Sequence, residues 1–228
     1  MENMETFVKR FNIYSYYELS ERAKTKAKLE ILEDPIIIDN YCNELEVDWA
    51  STSIYTFKNS NLNIQYDFSR SQGSGFNIYG SLNLNDVFDF DKLKIRGKFV
   101  NINANYPKKY IKKIKEDIKN GFLKESIELK KNLRYTYCVV DQSWISYSCI
   151  ANIENVEQHE MSKEDQDVYF KLEENVIVPA IEKICSEFYN KGLNTLFDTS
   201  DKRMEDLSLL YDRQYLEDGS LYYTNTKY

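Results

Sequence analysis

One histidine, His159, and four cysteines at positions 42, 138, 149 and 185 are the side chains best suited to binding a metal or acting as nucleophiles. Their spacing supports neither role. There is no C-x-x-C, and no histidine lies close to a cysteine, so a zinc site of ordinary spacing is absent from the pattern. A single imidazole also removes every scheme that needs two, including most metal-hydrolase arrangements. The carboxylates are scattered, with no motif that would place two of them together for acid–base work. The cysteines read as reduced core or strand residues. The residues therefore suggest no enzyme, no cofactor and no metal.

Two other groups have a spacing that suits binding. The first is the loop Ser71-Gln72-Gly73-Ser74-Gly75. Two glycines one residue apart allow positive φ and expose backbone N–H groups, which could cradle an anion or let a partner approach closely. The same glycines also suit a tight, bulged hairpin, and phosphate loops normally feed a helix rather than a strand. The second group is Lys108, Lys112, Lys115 and Lys119, spaced to form one stripe of a helix that could follow several phosphates. A solvated outer face has the same pattern. Arginine is nearly missing from the stripe, so binding there would be to charge rather than to base sequence.

The charge distribution sharpens this second feature. Residues 91–134 hold 14 Lys/Arg against 5 Asp/Glu, whereas 1–90 hold 8 against 14 and 135–228 hold 8 against 18. A basic middle thus lies between acidic flanks, within a chain of net charge −7. Such a segment can mark a nucleic-acid or acidic-partner site, or the flanks can neutralise it on folding.

Periodicity indicates the elements that would position these groups. A strand is expected within Phe7–Tyr17, then a helix capped by Ser20 and limited by Pro35, and a second short helix from Asp39 to about Ser51. Leu62, Ile64, Tyr66 and Phe68 alternate with polar residues, as do Phe76, Ile78, Gly80 and Leu82. They predict an antiparallel hairpin whose turn is the glycine loop. Ile95–Asn103 would add a strand. Pro107 opens the lysine helix, which would pause at Asn120-Gly121 and continue to about Lys131. A second hairpin fits Leu133–Val140 and Trp144–Asn152. The i+4 series Val168, Leu172, Val176, Ala180, Ile184 and Phe188 marks the main core helix, entered at Ser162 and kinked at Pro179. A helix from Ser200 to Tyr211 and an Asp218-Gly219 hairpin close the pattern. The expected architecture is one α+β domain over 1–228, an antiparallel sheet built from hairpins with helices packed on one face.

Two stretches carry a resemblance. Tyr17-Glu18-Leu19-Ser20-Glu21-Arg22-Ala23-Lys24 and Phe68-Ser69-Arg70-Ser71-Gln72-Gly73-Ser74-Gly75-Phe76 resemble a family of small phage and prophage proteins. In that family an E-L-S-x-x-A-K helix start precedes an F-S-x-x-S-Q-G-D-G hairpin, and a long helix is followed by a short E-D-G turn, here Glu217-Asp218-Gly219. Ser74 stands where that pattern usually has Asp, so any catalytic or metal role of that position would be impaired here. The resemblance implies a phage setting rather than an activity. Taken with the absence of a catalytic pattern, it raises two expectations. One is a non-catalytic inhibitor that occupies a host defence or nucleic-acid-binding protein, as an anti-CRISPR or other anti-defence protein would, with the glycine loop as a contact. The other is an antitoxin-like or nucleic-acid-binding regulator that uses the basic segment 91–134. The acidic Met1–Glu5 start is unlike a secretory or transit signal, and no apolar run approaches a membrane span, so the expected location is the host cytoplasm without membrane contact.

Overall fold

The computed structural model describes residues 10–68, 75–100, 106–129 and 162–222. The fold is α+β. The chain divides into two compact units, Met1–Glu44 with Asn194–Tyr228, and Leu45–Leu193; the divisions fall within two helices.

In the first unit, Ser20 caps α1 (Glu21–Leu32) by accepting from the Ala23 amide at 3.3 Å. Ala23, Ala27 and Ile31 form its buried stripe. Of the strand expected within Phe7–Tyr17, the described residues 10–17 form a single bridge from Tyr14 to Tyr215. It goes no further because the Ser15 amide and hydroxyl both donate to the Glu18 carboxylate, at 2.7 and 2.8 Å, and wind Tyr16–Glu18 into a 3-10 turn. Pro35 ends α1, as expected, and also opens α2 (Pro35–Thr56), where its fixed φ suits the first helical position. The Ile36 amide donates to the Asp34 carboxylate at 2.9 Å. This start makes α2 longer at both ends than the 39–51 helix read from the sequence.

The second unit holds the sheet. β1 (Asn61–Asp67) and β2 (Gly75–Asn83) pair antiparallel with Leu62 opposite Gly80, Ile64 opposite Ile78 and Tyr66 opposite Phe76. This is the register the alternation requires, and it puts the apolar series of both strands on one face. On that face Phe76 stacks on Phe188 with centroids 5.0 Å apart, and Trp49 of α2 meets both rings. Helices thus cover the Phe76 face.

After β2 come α3 (Leu84–Val87) and the two-residue strands β3 (Phe88–Asp89) and β4 (Lys94–Ile95). A 3-10 turn at Gly97–Phe99 follows where a longer strand was expected, and it buries Phe99 against Phe57.

α4 (Lys108–Lys119) stops at Asn120 and Gly121, the latter with φ of 75°. The amides of Phe122 and Leu123 close the end by donating to the Asp117 carbonyl. The expected continuation to Lys131 is therefore wrong. Ile127 and Leu129 alternate with exposed Glu128, and Ser126–Leu129 forms β5 on the free edge of β2, giving the order β1-β2-β5.

α5 (Lys163–Leu172), a π turn at Glu173–Ile177 and α6 (Val178–Leu196) follow one another without a break. All six residues of the i+4 series are buried. Pro179 has no N–H for the Asn175 carbonyl, and the wider turn includes Asn175. Ser200 then caps α7 (Asp201–Leu210) of the first unit, and the Asp218-Gly219 turn brings Leu221 back to Tyr215. The second hairpin, read at 133–152, lies outside the described residues. No described helix is long and apolar enough to cross a membrane.

Candidate functional site

The glycine loop is flanked by the β1–β2 pairing. Gly75 is the first residue of β2 and sits opposite Asp67. Ser71, Gln72, Gly73 and Ser74 lie outside the described residues.

The lysine stripe takes its place on α4. At 3.6 residues per turn, Lys108, Lys112, Lys115 and Lys119 fall within about 60° of arc and run about 16 Å along the axis. All four are exposed, because Tyr110, Ile111 and Ile114 turn inward. Lys115 donates to the Asp91 carboxylate at 3.1 Å and to the Phe90 carbonyl at 3.3 Å, which sets the β3–β4 turn beside the stripe. Lys112 pairs with Glu116 at 3.6 Å. Lys108 and Lys119 have no ion pair among the described residues.

The inner side of α4 carries polar groups that the sequence pattern did not single out. Asp117 is buried and accepts from Lys113 at 2.7 Å and from the Tyr169 hydroxyl of α5. Two turns earlier on α4, the Tyr110 hydroxyl donates to Asp167 of α5, which also accepts from Lys171, both at 2.8 Å. The Tyr106 hydroxyl donates to the Val168 carbonyl at 3.1 Å. Lys171 and Tyr110 hold the Asp167 carboxyl below its usual range, Asp167 holds Lys171 above its own, and burial pushes Tyr106 up. Each shift carries the pKa further from neutral pH and so fixes the resting protonation state, with Asp167 and Lys171 charged and Tyr106 neutral. The arrangement can hold two helices together. The signal for it was the tyrosine and acid spacing on α4 and α5, which a search for apolar stripes passes over.

The residues of the E-L-S-x-x-A-K and E-D-G stretches meet in the first unit. Gly219, at φ of 86°, seats directly on the Ala23 carbonyl, leaving no room for a Cβ. Lys26 donates to Asp218 at 2.7 Å and to the Ser220 hydroxyl at 2.5 Å. Asp201 takes the Tyr16 hydroxyl at 3.0 Å and Lys28 at 2.9 Å. Between the two stretches themselves, Ala23 and Gly219 make the direct packing contact.

Cys185 is fully buried, which pushes its thiol well up, and Cys42 is half-buried. Cys138, Cys149 and His159 lie outside the described residues. Among the described residues no three His, Cys, Asp or Glu side chains gather as metal ligands.

A surface missed by the sequence reading lies on the second-unit part of α2. Leu45 and Trp49 turn inward, whereas Val47, Ile54 and Tyr55 are 70%, 67% and 84% exposed, with exposed Ala50 and Ser51 between them. The i, i+7, i+8 spacing was visible in the sequence. The 39–51 helix expected from the periodicity stops short of Ile54 and Tyr55. Compared with known protein families, characterised proteins and solved structures, the chain matches none.

Proposed function

We propose that this protein works by stoichiometric, non-catalytic binding, as an inhibitor that occupies the surface of a host protein. The observation that carries the proposal is the outward face of α2. Large apolar side chains at 67–84% exposure, gathered on one helical face, are the usual mark of a protein-binding surface. Val47, Ile54 and Tyr55 have the spacing of a helix that lays its anchors into a partner's groove. Tyr55 supplies the kind of large amphipathic ring that dominates interface energetics. Glu46 beside this face, which among the described residues takes only the Tyr66 hydroxyl at 3.1 Å, favours a partner with a basic rim, whereas Asp48 is already paired with Lys191. The resemblance to small phage proteins supports a bacterial defence protein as the target class.

The test is affinity capture from host lysate, followed by an inhibition assay on the captured protein. Ile54→Lys with Tyr55→Lys should abolish capture and inhibition while the melting temperature stays unchanged. Full inhibition by that double variant would exclude α2 as the binding face.

A further inference from the structure

We infer that the lysine face of α4, together with the β3–β4 turn, is a second binding surface that tracks the phosphate backbone of nucleic acid. This surface is distinct from the apolar face of α2.

Three observations point to phosphate. The four lysines step along the helix by about 6, 4.5 and 6 Å, within one narrow arc, so their charges form a line. The Lys115 contacts with Phe90 and Asp91 hold the turn against this line, and on that turn Lys92 is paired with Asp89 at 3.8 Å, which leaves the four stripe lysines as the phosphate contacts. The carboxylates that accompany the line, Glu116 and Asp91, are themselves exposed, at 54% and 94%. Exposed pairs of this kind are weak and can be exchanged for phosphate.

Composition separates nucleic acid from an acidic protein. Protein interfaces are depleted in lysine and need apolar anchors, but Tyr110, Ile111 and Ile114 of α4 are turned inward. A row of lysines without anchors offers point charges to a regular polyanion, and without arginine forks it reads no bases. The net charge of −7 does not prevent this, since exposed charges beyond about 8 Å are screened at physiological salt.

The experiment is fluorescence anisotropy of a labelled 20-base-pair DNA duplex with the full-length protein between 50 and 200 mM salt. Four phosphate contacts predict a slope of log K against log salt of about −3.6, independent of sequence. Lys108→Gln with Lys119→Gln should halve the slope to about −1.8 and weaken binding about tenfold or more at low salt. Lys202→Gln on α7 should change neither. Circular dichroism confirms that the variants are folded. Absence of binding at 50 mM salt, or a slope that ignores Lys108 and Lys119, would overturn the inference. So would poly-glutamate competing as well as unlabelled duplex.

Discussion

Gly219 and Ala23 lie 196 residues apart in the chain, yet the backbone of one rests on the carbonyl of the other. Gly219 needs its missing side chain twice over, because its φ is 86° and because a Cβ would overlap the Ala23 carbonyl. Gly121 offers the contrast, with φ of 75° and open space around it. Gly121→Ala should therefore cost about 1 kcal/mol, the conformational term alone, and Gly219→Ala about 2 kcal/mol or more. Urea unfolding of both variants measures the difference. Equal losses would mean that the turn can move away from α1.

The sheet register gives a second test. Phe76 is buried between Trp49 and Phe188, so Phe76→Ala should cost about 3–5 kcal/mol. Gln65, on the other face of β1, is exposed, and Gln65→Ala should stay within about 0.5 kcal/mol. Tyr66 is only half-buried, so it separates the two faces less sharply than Phe76 does.

Asp86 is a buried acceptor. It takes the Asn59 amide at 3.0 Å, the Asn59 side chain at 2.6 Å and the Ser60 hydroxyl at 2.7 Å, and Ser60 in turn accepts from the Asn83 amide. Asp86→Ala would strip these hydrogen bonds to a charged acceptor from the Asn59–Ser60 turn and should cost about 1.5–3 kcal/mol in denaturant unfolding. A loss below about 1 kcal/mol would show that water reaches the site.

Acid should weaken the Asp218 contact. Lys26, and then Ser220, hold the Asp218 carboxyl well below the ordinary aspartate range. A carboxyl lowered in the fold contributes stability above its unfolded pKa of about 3.9, and that contribution disappears as pH falls through the lower folded value. Wild type should therefore lose more stability than Asp218→Asn between pH 6 and pH 2. Parallel curves for the two proteins would show that the pair contributes nothing.

The parts of the fold legible in the sequence were those where local pattern and tertiary demand agree. Leu62 to Phe68 and Phe76 to Leu82 alternate because one face is buried, and Val168 to Phe188 recur every four residues for the same reason. Ser126–Leu129 was misread because four residues hold too little period to outweigh the helix before them. It was the free edge of β2 that decided them. The period near two in Phe7–Tyr17 predicts a strand, but among the described residues it yields one bridge at Tyr14, because the Ser15–Glu18 contact winds the chain into a turn just after it. The lysine stripe was legible as a row, but the turn that Lys115 anchors depends on a contact across 24 residues. The outward face of α2 was hidden by a helix end placed five residues early.

The binding proposal is tested most directly by titrating purified protein against a fixed concentration of its captured target, well above the dissociation constant, and following target activity. Stoichiometric occupation predicts a linear fall to zero near one protomer per target site, with the target's mass unchanged. Complete inhibition at a hundredth of equivalence, with a chemically altered target or nucleotide in the mass spectrum, would contradict it and show that the protein is an enzyme.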